Sequence, residues 1–364
     1  MGMKRILVGV PPKHHVLLSY DEINGLTDLG YLCKPVLYGR NNSDLGLLNK
    51  LMGVLGRAFT IVRELYSFKP DILYLNSRLE PVGSTRDFIT VLLVRILYFR
   101  KLKIVIKTHG SEPSLLQSES FFYRHIVLPF LARHVNAWFV LSNEEKDIIS
   151  KYNKRLAGKS FVTANIVDPT RSVTSREFKT KYALPANKFK VLFVGRMVRE
   201  KGVFSLLRSI PLLSFKNECL FLFVGDGPDL AELKALAASM GLLPYTRFLG
   251  FIPDSECDHF YANADMLAFP TYCNEGFPMA LFKSIAAGLP VITTPIRAAK
   301  DHLTAPDNVL WVEKESPESI AEAITTLYNN SSLRVRMSHN NRLTGKKFSR
   351  ESVCTGMSEV ILSI

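Results

Sequence analysis

Long apolar runs are missing from this sequence. The longest, Phe88–Phe99, has twelve residues and contains Arg95, too short for a membrane-spanning helix. Met1–Pro12 has neither an extended apolar core nor a small-residue cleavage site, so no signal peptide is expected. Cysteine is sparse: Cys33, Cys219, Cys257, Cys273 and Cys354 are odd in number and scattered, which excludes a disulfide framework and fits a reducing compartment. Cysteine and histidine show no zinc-ligand spacing, no Asp-x-Asp pair offers a metal signature, and no basic helix or basic–aromatic strand of a nucleic-acid module occurs. The expected location is cytoplasmic, with a peripheral place on the inner face of the plasma membrane left open. Acidic residues are also in deficit, 33 against 46 lysines and arginines, for a net charge of +13. The deficit is uneven: 23 basic against 14 acidic residues over 1–170, and 23 against 19 over 171–364. A basic surface attracts anionic lipid or phosphorylated ligands.

What is present is a repeated alternation of short apolar runs and helical patterns. With 364 residues, two domains are expected. Strands are predicted at Arg5–Val10, Tyr31–Leu37, Asp71–Leu75, Lys103–Lys107, Ala137–Leu141 and Phe161–Ile166. Helices are predicted at Val16–Leu29, Leu45–Phe68, Phe88–Phe99 and Ser120–His134, with Ser142–Glu145 capping another. A polar stretch of little periodicity reads as a linker, and the pattern restarts with strands at Phe189–Val194, Cys219–Val224, Thr246–Leu249 and Met266–Phe269. Alternation of this kind implies parallel sheets with helices on both faces. The expected division is a domain over 1–168, a linker over 169–188, a second domain over 189–348 and a terminal helix over 349–364. Ligands of such sheets bind outside the carboxyl ends of the strands.

The stretch Thr271–Thr294, TYCNEGFPMALFKSIAAGLPVITT, reads as loop, helix, turn and strand. Pro278 suits the first helical position, and Gly288 a left-handed C-terminal cap. A helix that opens on a glycine-containing turn presents free N–H groups to an anion. Glu275 either caps that helix or accepts hydrogen bonds from ligand hydroxyls. The strand at Phe189–Val194 ends in VGRMVREKG, where Arg196 and Lys201 offer a fork and a point charge suited to a diphosphate. VGDGP follows the next strand, and FLGFIP sets an aromatic loop after a third.

GRMVREKG, VGDGP, FLGFI, ADMLAFPTY and EGFPMALFKSIAAGLPVITT, in this order and spacing, resemble the donor-binding domain of retaining glycosyltransferases of GT-B architecture, the group 1 or family-4 type. The likeness is firm over Phe189 to about Asn330 and weaker before it, through the early Pro pair, KPDILYL, the THG turn and NIVDP. It implies an α/β fold of two doubly wound Rossmann-like domains with a cleft between them, the first for the acceptor and the second for a nucleotide-sugar.

The resemblance also implies roles. Arg196 and Lys201 would neutralise the donor diphosphate, helped by Gly276, Phe277 and Pro278 at the helix start. Glu275 would contact the donor sugar, and His109 would face it from across the cleft. Phe251 and Ile252 would lie by the nucleobase. Lys283 stands where the family has a ribose-binding Glu; an ammonium has no acceptor, so it approaches a phosphate or points away. Lys13-His14-His15 replaces the family's Gly-Gly in the first loop, which makes Lys13 a candidate phosphate contact. PIRAAKD, with Arg297, Ala298 and Asp301, replaces a further glycine pair. The implied activity is hexosyl transfer, with retention, from a nucleoside diphosphate-sugar to a glycan or lipid-linked glycan in cell-surface polysaccharide assembly. It needs no metal and no cofactor beyond the co-substrate. An anionic membrane surface is a further expected partner, and nucleic acid is not. A catalytically weak scaffold or partner subunit, and a sugar-nucleotide epimerase or hydrolase of the same architecture, are the alternatives.

Overall fold

The structure is a computed structural model that describes residues 3–12, 16–39, 47–111, 120–167, 176–182, 184–273 and 275–364. Two compact units form: Met1–Ile166 with Glu275–Phe277 and Arg350–Ile364, and Val167–Asn274 with Pro278–Ser349.

The first unit runs β1 (Arg5–Val10), α1 (Val16–Asp28), β2 (Leu32–Leu37), α2 (Leu47–Phe68), β3 (Ile72–Leu79), α3 (Pro81–Leu97) and β4 (Lys103–Ser111). A π-turn over Tyr123–Val127 leads into α4 (Leu128–His134), then β5 (Ala137–Val140), α5 (Asn143–Tyr152), α6 (Lys154–Ala157) and β6 (Ser160–Val162). Its parallel sheet has the order β2-β1-β3-β4-β5-β6. Pro35 sits in β2, an edge strand, where a missing N–H breaks no central ladder. Chain travel is one way through α2, α3, α4 and α5, and the opposite way through α1. Right-handed crossovers therefore put α1 on the other face. Leu7, Leu73, Leu75, Ile104, Ile106 and Trp138 form one core with Ile61 and Leu65 of α2, Val91 and Val94 of α3, and Leu128 and Leu131 of α4.

The second unit runs α7 (Arg176–Lys181), β7 (Phe189–Val194), α8 (Val203–Ser209), β8 (Cys219–Val224), α9 (Leu230–Ser239), β9 (Thr246–Gly250), α10 (Asp254–Asn263) and β10 (Met266–Phe269). It continues with α11 (Met279–Ala287), β11 (Val291–Thr293), α12 (Arg297–His302), β12 (Leu310–Trp311), α13 (Pro317–Asn329) and α14 (Ser331–Gly345). The parallel order is β12-β11-β10-β7-β8-β9. Ser316 caps α13 by accepting from the Ser319 amide at 3.1 Å. The last helix, α15 (Arg350–Ser363), lies on α1 in the first unit. A Cβ at Gly25 would meet Cys354 Sγ at 2.4 Å, so only glycine lets the two helices approach. Arg350 pairs with Asp21 at 2.9 Å and the Tyr31 hydroxyl bonds Ser358 at 2.7 Å.

Several expected bounds move. β3 runs on to Leu79 and α3 begins at Pro81, seven residues before the apolar pattern, because Pro81 fits a helix start. β4 continues to Ser111, so Thr108-His109-Gly110 is strand and not turn. β6 is only Ser160–Val162. The expected linker 169–188 contains α7, whose Phe178 meets Phe260 edge-on at 4.8 Å; residues 168–175 and 183 lie outside the described set. The sequence pattern missed α12, β12 and α14.

One buried ion pair joins four segments of the first unit. Lys107 of β4, fully inaccessible to solvent, donates to Glu22 of α1 at 2.5 Å and to the Ala164 carbonyl at 2.9 Å. The Tyr74 hydroxyl of β3 donates to the other Glu22 oxygen at 2.7 Å. Burial, then the Glu22 charge, drives the phenol well above its ordinary pKa. Breaking such a pair on one side costs about 3–5 kcal/mol, whereas replacing both ions with apolar groups costs far less. Lys107→Met is therefore expected to lower the denaturation midpoint markedly, and Glu22→Leu/Lys107→Met to recover most of the loss, as read by urea unfolding.

In the second unit His302 lies edge-on to Phe282 and Phe348 at 5.8 and 5.2 Å. Burial holds its pKa below the ordinary 6.5, with Asp301 opposing and Lys347 assisting. The unfolded chain then binds a proton more readily than the folded one, so the contribution is complete above about pH 6.5 and is lost as pH falls below it. The thermal midpoint is expected to drop over that window, and less so in His302→Phe.

Candidate functional site

In the second sheet the chain turns away from β7 in both directions, toward β8 on one side and β10 on the other. Loops at such a switch point frame the ligand crevice of a doubly wound sheet. Here those loops are the one after β7, carrying Arg196 and Lys201, and the one after β10, leading to α11.

Glycine lets these loops interlock. Gly202 has φ +75°, and a Cβ there would meet the Pro270 carbonyl oxygen at 2.1 Å. Gly225 has φ +134° and would meet the Gly195 oxygen at 1.9 Å; Gly227 would meet the Met197 oxygen at 2.4 Å. Backbone bonds then tie the loops together. The Glu200 carbonyl accepts from the amides of Tyr272 and Cys273 at 2.8 and 3.0 Å and from the Thr271 hydroxyl at 3.1 Å. The Met197 amide donates to Asp226 O at 2.9 Å, and the Arg199 amide to the Asp229 carboxylate at 2.9 Å.

The three cations of the β7 loop divide by role. Arg199 pairs with Glu232 and lies 4.3 Å from the Phe204 ring centroid, so it braces the loop. Arg196 is exposed at the strand end. Lys201, half-buried, stands 5.4 Å from the Phe269 ring centroid at the end of β10, a cation–π contact that holds its ammonium at the switch point. Phe251 follows β9, 76% exposed, and Ile252 beside it is half-buried. An aromatic ring left in solvent directly after a strand is available for stacking.

The helix start differs in detail from expectation. Pro278 is the N-cap of α11, with φ −67° and ψ 105°, and Met279 is the first helical residue. Proline has no side-chain acceptor to cap with, and no acid falls in the first turn, so the helix dipole is not offset by its own first turn. Gly288 closes the helix at φ +80°, as expected. Glu275 is half-buried, and Gly276 and Phe277 are buried; these three belong to the first unit. A Cβ at Gly276 would come within 2.9 Å of Glu145 Oε1 and 3.5 Å of Leu141.

Lys283 is drawn away from a nucleoside role. Its ammonium pairs with Asp258 of α10 at 2.8 Å, and that carboxylate is nearly inaccessible. Arg297 holds φ +30°, a conformation that costs a side-chain-bearing residue energy. Lys13 lies outside the described residues.

In the first unit His109 is a buried strand-end residue. Its Nε2 is 2.6 Å from Asn76 Oδ1, and Nδ1 is 3.2 Å from Asn165 Oδ1. The Asn76 amide nitrogen donates to Gly9 O at 3.2 Å, which fixes its oxygen toward the ring, so Nε2 carries the proton. The Asn76 carboxamide thus orients the imidazole by accepting from Nε2, Asn165 flanks its other nitrogen, and neither residue was marked by the sequence pattern. The lone clue is that both asparagines follow apolar strand runs. Tyr38, Ser77 and Arg86 all bond the Asp87 carboxylate at the same edge, and this cluster was also missed.

Residues 174–344 match the family model described as glycosyl transferases group 1. A glycosyltransferase of Methanocaldococcus jannaschii is 30% identical over 278 residues, 73% of this chain and 71% of that protein. A glycosyltransferase of Bacillus subtilis assigned to teichuronic acid biosynthesis is 30% identical over 152 residues, 42% of this chain and 36% of its own length. The chain thus spans about a third of that relative. The Anabaena HepE structure with UDP and glucose superposes at a TM-score of 0.76 with 16% identity, covering all of both chains, so the fold is the GT-B architecture. Together these findings place the chain in the group 1 glycosyltransferase family.

Proposed function

We propose that the chain transfers a sugar from a nucleoside diphosphate-sugar to a hydroxyl of a glycan or lipid-linked glycan, with retention of configuration and without a metal. The observation that carries this reading is the interlocked loop pair at the β7/β10 switch point, with Arg196 exposed and Lys201 held beside Phe269. The UDP and glucose of the Anabaena protein and the polysaccharide context of the Bacillus relative support it.

The chemistry has one charge problem. The bond from the anomeric carbon to the phosphate oxygen breaks, and the departing diphosphate gains negative charge. The acceptor oxygen bonds the anomeric carbon on the same face and its proton passes to a phosphate oxygen. Cations and helix N–H groups fixed before the reaction stabilise that charge with little reorganisation. Arg196, Lys201 and the start of α11, with the Gly276–Pro278 backbone, supply them. Glu275 accepts hydrogen bonds from the donor sugar, His109 is oriented by Asn76 for the same sugar, and Phe251 with Ile252 bounds the base.

Thermal shift of the full chain against uridine, guanosine, adenosine and thymidine diphosphates and their sugar conjugates is the direct test, because a ligand of the native state raises the midpoint by mass action. One base is expected to give a clear shift; none doing so refutes donor binding. Arg196→Ala and Lys201→Ala are each expected to weaken that nucleotide about tenfold to a hundredfold, as one charge-assisted bond is worth about 1.5–3 kcal/mol. Glu275→Gln should retain the nucleotide shift and lose turnover; unchanged turnover would remove Glu275 from the site. Lys283→Glu sets a second carboxylate against buried Asp258 and is expected to lower the thermal midpoint without tightening nucleotide binding.

A further inference from the structure

In the first sheet the chain leaves β1 toward β2 on one side and toward β3 on the other. The ends of β1 and β3 are therefore the switch point at which a doubly wound sheet opens a ligand crevice. Ser77 of β3 lies two residues beyond Leu75, the last partner of β1. Asn76 and Ser77 face opposite sides of the strand. Asn76 accepts from His109 on one side; on the other, Ser77 joins Arg86 and Asp87 of α3 and Tyr38, the residue after β2.

Asp87 is inaccessible to solvent, whereas the Arg86 side chain is 18% exposed. The carboxylate accepts from the Tyr38 hydroxyl at 2.5 Å, from Arg86 Nε and Nη2 at 3.2 and 3.0 Å, and from the Ser77 hydroxyl. Nη2 also donates to Ser77 Oγ at 2.9 Å, and the guanidinium carbon stands 4.1 Å from the Tyr38 ring centroid. Burial, then the Asp87 charge, pushes the Tyr38 phenol well above its ordinary pKa, so it remains a donor. The guanidinium is thus fixed in plane and direction, with its counter-charge beneath it. Nη1 makes no hydrogen bond among the described residues. Gly39, at φ +133°, keeps space beside it: a Cβ there would come within 3.7 Å of Nη1 and 2.7 Å of Pro12 Cδ, between the ends of β1 and β2.

An ion pair that only packed a helix on a sheet would give little over apolar side chains of the same volume. What this one provides is a rigid guanidinium with one N–H edge open, the geometry that takes phosphate or carboxylate oxygens. Tyr38 and Ser77 also draw on the Asp87 charge, so the exposed end of the group is its positive end. We propose that Arg86 binds an anionic group, phosphate or carboxylate, on the acceptor, with Asp87, Tyr38 and Ser77 as positioning residues. The proposal rests on the reading of the first unit as the acceptor unit and narrows the acceptor to an acidic one. The excess of 23 basic over 14 acidic residues in 1–170 favours the same class. The Asn76–Ser77 step sets the bound group beside His109.

NMR titration of the full chain with phenyl glucuronide, phenyl phosphate and the neutral phenyl glucoside tests it. At least one anionic probe is expected to bind about tenfold or more tightly than the glucoside, and which one does so tells carboxylate from phosphate. Arg86→Gln/Asp87→Asn removes both charges together, so its thermal midpoint is expected to hold while the preference disappears. Arg86→Lys keeps a partner for Asp87 and loses the fork, and its preference is expected to fall severalfold; it decides alone if the double variant loses its midpoint. Arg196→Ala, the control for an anion held in the second unit, is expected to keep the preference. Equal binding of all three probes to the wild type, a preference unchanged in either Arg86 variant, or one lost in Arg196→Ala overturns the site. A nucleotide shift that persists then leaves the transfer reading intact. Its absence alongside an Arg86-dependent preference overturns transfer alone.

Discussion

The switch-point edge of the second sheet depends on backbone packed against backbone. Gly202 lies on the Pro270 carbonyl, Gly225 on that of Gly195, and Gly227 on that of Met197. Any side chain at these positions would push the loops after β7, β8 and β10 apart. Two of the three also require positive φ, which glycine adopts without steric cost. Once the loops touch, the Glu200 carbonyl can take donors from Thr271, Tyr272 and Cys273, and Lys201 can rest by Phe269. The placement of the cations is thus a consequence of missing Cβ atoms more than of the cations themselves.

The first unit is held by a different device. Lys107 occupies the α1 face of a central strand, where an apolar residue would ordinarily lie, and Glu22 with Tyr74 satisfies it. The pair anchors α1, and α1 in turn receives α15 through Gly25 and Cys354. Burial raises the Cys354 thiol to about 12, so at neutral pH it packs as a small apolar group. At the carboxyl edge of the same sheet, Asn76 holds His109 through its Nε2. Glu22, Tyr74, Lys107 and His109 are each fixed by a hydrogen-bond partner.

What could be read in the sequence is what short-range physics controls. β1, β7, β8 and β10 fall on the expected residues, because a buried parallel strand is an apolar run bounded by turn formers. Gly288 ends α11 for an equally local reason. The order of the strand-end motifs was enough to point to the family. Bounds failed where local signals conflict. PVGSTRD carries no apolar periodicity yet starts α3, since packing on the sheet outweighs its weak propensity.

Partners across the chain belonged to tertiary structure alone. Lys283 meets Asp258 25 positions away, Lys107 meets Glu22 85 away, and His109 meets Asn76 and Asn165 33 and 56 away. No periodicity links such positions. The sequence by itself determined two doubly wound sheets, the strand-end cations and a basic first half. The fold decided which carboxylates reach which cations, because an ion pair needs two side chains within a few ångströms and no local pattern brings Asp258 to Lys283 or Glu22 to Lys107.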